Sequence, residues 1–170
     1  MNVEERTIIG ASVLVDIGHS KSIPAKIDTG ADSSSIGVSN LRLTSDNRLE
    51  FALFDPSSDF YTGETYTVDD YAAVKVKSSN GTSEFRYRAP LSLRIAGHRI
   101  RATFTLADRS HARFKILIGR RTLGPRFLIA PDEEVVPIKA KGRSLGLSNK
   151  LKSDPQKFHQ TYIKNERSKK

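Results

Sequence analysis

The sequence predicts a mainly β protein, built as a small closed barrel with one short helix. Apolar and polar residues alternate in many short runs that are separated by turn signals, and the one clear helical pattern is the short stretch 120–123. Many short strands with so little helix favour a barrel over a layered α/β domain. With 170 residues, 37% of them hydrophobic, the chain has enough apolar residues for one core.

Strands are predicted through most of the first 130 residues. The run 7–15 has the length of one long or bent strand, and residues 23–28 show the period of two that is typical of a half-buried strand. An Asn80-Gly81 pair lies between alternating residues of 74–87 and predicts a hairpin. The later strands, in chain order, are predicted at 91–95, 100–106 and 114–119. Residues 42–71 are assigned no element.

The sequence Asp-Thr-Gly occurs once, directly at the end of the strand 23–28. Asp28 ends this strand and Thr29-Gly30 breaks it, so that the carboxylate can face a cleft. Gly30 lacks the Cβ that would keep a second backbone or carboxylate at a distance. Aspartic peptidases present their catalytic carboxylate in this way. The same residue types are also typical of a plain polar turn, and this segment alone does not separate the two interpretations.

A second signature lies about 90 residues further along the chain. The apolar run Ile116-Leu117-Ile118 ends in Gly119-Arg120 and is followed by a segment with the pattern of a short helix. Together with Asp-Thr-Gly-Ala, this run resembles the second signature of retropepsin-like aspartic peptidases, the homodimeric relatives of pepsin. The resemblance extends in order over residues 23–130. It implies the acid-protease barrel with its helix after the Gly-Arg strand.

The resemblance also implies roles for particular residues. Its catalytic residues correspond to Asp28, Thr29 and Gly30, and the hydroxyl of Thr29 locks two such loops together across a dimer. Ala31 and Asp32 line the cleft and contact the substrate backbone.

Two further groups of residues take roles from the same resemblance. The hairpin 74–87 occupies the position of the flap that folds over bound peptide, and its tip consists of Ser78, Ser79, Asn80 and Gly81. The residues that support the site are Ile118, Gly119 and Arg120, with Arg120 bracing Asp32.

A single catalytic loop has a consequence for assembly. Peptide hydrolysis by this chemistry needs two carboxylates, one ionised to activate water and one protonated to donate to the carbonyl oxygen. The chain supplies one, and the two-lobed pepsin arrangement requires about twice the length. The resemblance therefore implies a homodimeric endopeptidase in which Asp28 of each subunit meets on a two-fold axis. Residues 127–129 are expected to supply an apolar strand of the dimer interface.

A narrower resemblance is to a small prokaryotic family labelled ATP-dependent zinc protease. It rests on the strings 25–31, 78–81, 108–110 and 117–120. Zinc needs three convergent ligands, whereas the four histidines are scattered singly. Gly119 and Gly124 have the spacing of a phosphate loop, but Pro125-Arg126 stands where Lys-Ser/Thr is required. We therefore expect no metal and no cofactor.

The positive charge is concentrated at the C-terminal end. The net charge of the chain is +9; residues 139–170 contain ten Lys or Arg and two acidic residues, which leaves a net charge of +1 for residues 1–138. We expect a peptidase domain over 1–138 and a basic, mobile tail over 139–170, with Phe158, Tyr162 and Ile163 on one face of a short helix. The tail is either a solubilising segment or a weak contact for nucleic acid, the ribosome or acidic peptides.

The sequence also leads to expectations about the location of the protein and its substrate. The chain has no cysteine, no apolar stretch long enough for a membrane span, and a charged N-terminal segment without the apolar run of a signal peptide. We therefore expect a cytoplasmic protein without membrane contact. In the resembled family the gene is associated with that of a ligase that adds glutamates to a ribosomal protein, which implies a glutamate-rich peptide as substrate.

Two other functions are compatible with the sequence. One is a non-catalytic binding or adaptor module with the retropepsin fold, which uses its basic tail to recruit a partner. The other is a metal-dependent peptidase, as the family label implies.

Overall fold

The structure is a computed structural model that describes residues 6–77, 83–134 and 144–163. Its strands, in chain order, are β1 (Thr7–Ile17), β2 (Ser20–Asp28), β3 (Ser34–Leu43), β4 (Leu49–Leu53), β5 (Thr65–Val68), β6 (Ala72–Lys77), β7 (Ser83–Ile95), β8 (His98–Ala107), β9 (Ile116–Gly119) and β10 (Phe127–Glu134). Helix α1 (Arg120–Leu123) follows β9 and continues into a 3-10 turn at Gly124–Arg126.

Six of these strands close into a barrel. The pairings run from β1 to β2, β9, β3, β8 and β7, and β7 pairs with β1 to complete the circle. Within it, β2 pairs with β9 and β3 with β8 in parallel, whereas the other pairs are antiparallel. The predicted fold class, a mainly β closed barrel with one short helix after the Gly-Arg strand, is confirmed.

The core fills the inside of this barrel. Along β2 the residues Ile23, Ala25 and Ile27 are buried while Lys26 is exposed, as the period of two predicts. Other fully buried side chains come from several strands: Ile36, Ile95, Phe104, Leu106, Ile116 and Ile118. Because three of the four residues of β9 are buried, it holds the site loop described below on a rigid support.

Residues 42–71, which were assigned no element, contain a second sheet. The long strand β3 continues beyond the barrel and pairs with β4, and β4 pairs with β5. Leu49, Phe51 and Leu53 are almost completely buried, and Phe51 stacks on Tyr66 with the ring centroids 5.9 Å apart. The alternating pattern was missed because β4 has only five residues and continues into Phe54, which is also buried.

The predicted hairpin is present in its two arms. Strands β6 and β7 pair antiparallel, with Val74 opposite Arg86 and Val76 opposite Glu84. The expected separate strand at 91–95 is the second half of β7, which runs 13 residues from the hairpin into the barrel. The tip residues Ser78, Ser79, Asn80 and Gly81 lie outside the described residues, so their part in a flap stays a prediction.

Strand β10 contains residues 127–129, which were expected to supply a strand of a dimer interface. It pairs in parallel with β1 of the same chain, with Phe127 opposite Thr7. Phe127 is only 6% exposed and its ring packs edge-on against His98. The side chain of Phe127 therefore belongs to the core of its own subunit, and the role of residues 127–129 in a dimer interface stays a prediction. Leu128 and Ile129 are partly buried.

The chain divides into two units, Met1–Val136 and Pro137–Lys170. The second contains α2 (Ser144–Ser153), α3 (Pro155–Phe158) and a π-helical turn at His159–Ile163. Asp154 caps α3 by accepting a hydrogen bond from the Lys157 amide at 2.9 Å. Helix α2 was not predicted, because its serines and Gly146 have low helix propensity. No helix in the described part of the chain is long and apolar enough to span a membrane.

Candidate active site

Asp28 lies at the end of β2, where the strand leaves the barrel. It is paired in register with Gly119 of β9 and is half-buried, whereas Thr29 and Gly30 are exposed. The Ala31 amide donates a hydrogen bond to the Asp28 carbonyl at 3.2 Å, which closes the turn. The strand thus delivers one carboxylate to the surface on a short, fixed loop.

Two glycines allow close approach around this loop. A Cβ on Gly119 would lie 2.6 Å from the Ser33 carbonyl carbon and oxygen, so no side chain fits there without movement of the backbone. A Cβ on Gly30 would lie 3.4 Å from Oδ1 of Asp28, which is the lower edge of ordinary contact. Gly119 is therefore required for the packing of the loop on β9, while Gly30 keeps the space beside the carboxylate open.

The two sequence signatures are joined by hydrogen bonds. The amides of Arg120 and Arg121 donate to the carbonyls of Ala31 and Asp32 at 2.9 and 3.1 Å. Helix α1 therefore finds acceptors in the loop for two of its first amides, which have no partner within a helix.

Below this contact lies a buried pair of hydroxyls. Ser34 Oγ accepts a hydrogen bond from the Gly119 amide at 3.0 Å and contacts Thr122 Oγ1 at 2.6 Å. Ser34 is completely buried and Thr122 nearly so. Because buried hydroxyls need partners, this pair fixes the distance between the loop and α1. Sequence reasoning missed both residues, because Ser and Thr are common in loops and no motif marks these two.

Arg120 and Asp32 form the ion pair that the resemblance implied. The guanidinium donates through Nη2 to Oδ1 of Asp32, and both side chains are more than half exposed. The hydrogen bond and the charge of Arg120 lower the pKa of Asp32 below its ordinary value. The pair holds Asp32 in its ionised form at the edge of the loop, although its exposure limits its contribution to stability.

A cleft opens beside the loop, and its walls are strongly basic. Ala31, Asp32 and Ser33 form one side, and the opposite walls come from β6, β7 and β8. The cations that line it are Lys75, Arg86, Arg88 and Arg109. Sequence reasoning assigned none of them a role, although the spacing of Arg86 and Arg88 places both on one face of a strand.

Arg109 is the cation that interacts with the candidate catalytic carboxylate. Half burial lowers its pKa, the charge of Arg86 lowers it further, and the charge of Asp28 raises it. An arginine remains protonated despite such a shift. Its Nε donates to the Phe114 carbonyl at 3.0 Å, which fixes the side chain. The site thus contains a permanent positive charge within electrostatic range of Asp28.

One polar group in the cleft wall is without a hydrogen-bond partner among the described residues. Ser35 is buried, and its hydroxyl forms no hydrogen bond there. Since buried polar groups are normally paired, this hydroxyl is suited to a hydrogen bond with a bound molecule.

Two of the histidines form hydrogen-bond contacts away from the Asp28 loop. His19 Nδ1 is 2.8 Å from Glu64 Oε2, and His98 Nε2 is 2.8 Å from Thr7 Oγ1. In the ranges 6–77, 83–134 and 144–163, no three residues of the His, Cys, Asp and Glu types come together as a metal site would require.

A barrel that carries this loop and the helix after its Gly-Arg strand defines a retropepsin-like protein. The family model described as "Retropepsin-like aspartic endopeptidase RimB" matches residues 8–140. The chain therefore belongs to the RimB-like family.

Other similar proteins add to this placement. Two curated proteins named "Probable alpha-L-glutamate ligase", from Shewanella pealeana and Shewanella halifaxensis, are 29% and 28% identical over 117 residues, which is 65% of this chain and 25% of each of them. The chain thus spans a quarter of the length of these relatives. A Legionella pneumophila crystal structure of unknown function shares the fold, with a TM-score of 0.55, 19% identity, and coverage of 74% of this chain and 93% of the other.

Proposed function

We propose that this protein is a homodimeric aspartic endopeptidase in which the Asp28 carboxylates of two subunits share one site. The observation that carries the proposal is the joint between the two signatures. Gly119 packs against the Ser33 backbone and the Arg120 amide donates to the Ala31 carbonyl, while the half-buried Asp28 stays at the end of its strand. A loop of this kind supplies half of a carboxylate pair. The second half comes from an identical subunit, because the chain contains one Asp-Thr-Gly.

The chemistry follows from two facing carboxylates. One Asp28, ionised, removes a proton from water, and the water oxygen attacks the peptide carbonyl carbon. The partner's Asp28, protonated, donates to the carbonyl oxygen, so that a neutral tetrahedral intermediate forms. The first Asp28 then passes the proton that it took from water to the amide nitrogen, and the partner's Asp28 takes a proton from a hydroxyl of the intermediate. The carbon–nitrogen bond breaks to give a carboxylic acid and an amine, and the pair is again in its starting, singly protonated state. The open space beside Gly30 permits the two loops to approach.

The substrate we propose is an acidic, glutamate-rich peptide. Support comes from the four cations that line the cleft. One of them, Arg109, is within electrostatic range of Asp28. Guanidinium groups bind carboxylates through two parallel hydrogen bonds, so they favour acidic side chains near the bond to be cleaved. The Shewanella relatives are named as glutamate ligases, which agrees with this substrate class. A cytoplasmic location is part of the same proposal.

Asp28→Asn tests the catalytic role. The amide has nearly the same shape as the carboxylate, so the fold is retained, but it cannot act as a base. We expect the rate of cleavage of a glutamate-rich peptide library to fall by about 10³-fold or more. Mass spectrometry of the products measures this rate. The matched control is Asp59→Asn, an exposed aspartate in the segment 42–71, which should leave cleavage unchanged. Cleavage by Asp28→Asn at the wild-type rate would refute the proposal.

Mixed dimers test the shared site directly. If wild-type and Asp28→Asn subunits exchange freely, a heterodimer contains one functional carboxylate and is inactive. The activity should then follow the square of the wild-type fraction. A linear dependence would mean that each subunit acts alone and would contradict the dimeric site.

The acidic preference has its own test. Arg109→Gln should lower kcat/KM for a glutamate-rich peptide by about tenfold, and should change the value for the matching glutamine peptide much less. Lys26→Gln, an exposed cation outside the cleft, is the control. An equal loss for both peptides would assign Arg109 to structure rather than to substrate choice.

A further inference from the structure

A second basic surface lies on the outside of the barrel. It is a groove lined by five arginines from β7, β8, α1 and the 3-10 turn, namely Arg88, Arg99, Arg101, Arg121 and Arg126. We call it the arginine groove. The remaining residues of its lining are neutral, and no carboxylate lies among them in the described part of the chain.

One arginine of this groove is paired across the strands with another arginine outside the groove. Arg99 lies directly opposite Arg94 across the β7–β8 pair, and like charges in this position are destabilising. Residues 1–138 together have a net charge of only +1, so the clustering reflects where the charges are placed and not an excess of them. Five arginines in one groove, with no carboxylate among its lining residues in the described part of the chain, favour an anionic partner.

The arginine groove is continuous with the cleft beside Asp28. Ser33, Arg88 and Thr103 line both. Along β8 the exposed residues Arg99, Arg101 and Thr103 alternate with buried ones, so they form a row on one face. Side chains in such a row repeat about every 6.7 Å, the repeat of an extended peptide. A peptide that leaves the cleft in an extended form can therefore place alternate side chains over this row.

The chemistry of the lining distinguishes between anionic partners. All cations of the arginine groove are arginines, which bind carboxylate or phosphate groups through two hydrogen bonds. No aromatic side chain is among the lining residues within the described ranges, whereas single-stranded nucleic acids are usually bound by stacking on aromatic rings. We propose that the arginine groove binds an acidic, extended polypeptide segment that continues out of the cleft. This inference rests on the proposed function only in identifying the cleft as the place of cleavage.

The test measures binding without cleavage. The full-length chain with Asp28→Asn is titrated against a fluorescent peptide of ten glutamates, and anisotropy gives the Kd. Adding Arg99→Gln, Arg101→Gln and Arg126→Gln should raise the Kd by about tenfold. The control removes three exposed cations elsewhere, through Lys26→Gln, Arg42→Gln and Arg48→Gln, and should change the Kd by less than about twofold. Thermal melting verifies that both variants are folded.

The outcomes separate this inference from the proposed peptidase activity. If the groove variant binds the peptide as tightly as the control does, the inference is wrong, whatever the catalytic result. If an oligouridylate of equal charge binds more tightly than the peptide and loses binding in the groove variant, the groove is a nucleic-acid site and the inference is again wrong. If the groove variant loses peptide binding and the control variant retains it, the inference about the groove is supported. If the wild-type chain at the same time cleaves no peptide, the peptidase proposal fails and the inference about the groove does not.

Discussion

Lys115 and Asp55 form an ion pair, with Nζ and Oδ2 3.3 Å apart, in which each side chain is only 16% exposed. Lys115 Nζ also donates to the carbonyls of Arg109 and Ser110 at 3.0 and 2.6 Å. Asp55 follows directly on the buried Phe54 of the second sheet. The ion pair thus fastens the segment 42–71 to the loop that carries Arg109.

Replacing Lys115 by methionine should therefore affect both stability and the site. The side chain keeps its length, but Asp55 and two carbonyls lose their donor in a largely buried place. We expect the free energy of unfolding in urea to fall by about 2 kcal/mol. Arg48→Gln, which breaks the exposed pair with Asp46, should cost less than about 1 kcal/mol. Equal losses of unfolding free energy in the two variants would show that the Lys115 contact contributes no more to stability than an exposed ion pair.

Asp55 gives this contact a pH dependence. The hydroxyl of Ser57 and the contact with Lys115 lower the pKa of Asp55 below its ordinary value of 3.8, while burial opposes them. Because the pKa is lower in the folded state, the stabilisation is fully present well above pH 3.8 and is lost as the pH falls through the folded pKa. Between pH 7 and pH 2, the free energy of unfolding should therefore fall more steeply with decreasing pH in the wild type than in Asp55→Asn. Parallel curves would argue against this linkage.

The two glycines of the site should differ in what they control. Gly119→Ala brings a Cβ within 2.6 Å of the Ser33 backbone, so we expect a loss of about 2–3 kcal/mol of stability together with loss of cleavage. Gly30→Ala meets only Oδ1 of Asp28 at 3.4 Å and should keep the melting temperature while it lowers cleavage. Calorimetry and a cleavage assay of both variants measure this contrast. A melting temperature of Gly119→Ala equal to that of the wild type would contradict the packing argument.

Arg120 should matter more for activity than for stability. Its ion pair with Asp32 is exposed, so Arg120→Gln should cost less than about 1 kcal/mol. Asp32 would lose the group that orients it at the edge of the cleft, and we expect kcat/KM to fall by about tenfold. Arg120→Lys, which retains the charge but not the fork geometry, should recover part of this loss. If the double variant Arg120→Gln, Asp32→Asn has a higher kcat/KM than either single variant, the two residues instead form a merely structural pair.

The sequence was most informative where one period or one motif determines the structure. The alternation in 23–28, the buried run before Gly119 and the helix at Arg120 predicted the barrel and the joint between the signatures. Contacts between distant residues could not be found in this way. Ser34 and Thr122 are 88 positions apart, and only the closed barrel brings their hydroxyls together.

The basic walls of the site were missed for a related reason. Counting charges along the chain assigned the positive charge to the C-terminal tail, because residues 1–138 are nearly neutral in sum. Folding separates the signs: the arginines of β7, β8 and α1 converge on the cleft and the arginine groove, whereas most carboxylates lie elsewhere. A sum over a segment contains no information about such a separation.

The parallel pairing of β2 with β9 joins residues that are 91 positions apart, since Asp28 lies opposite Gly119. During synthesis the Asp-Thr-Gly loop leaves the ribosome long before the strand and helix that hold it. A nascent chain that ends before Arg120 contains Asp28 but lacks the strand and helix that support its loop. The candidate site can therefore assemble only after nearly the whole folded unit has been made.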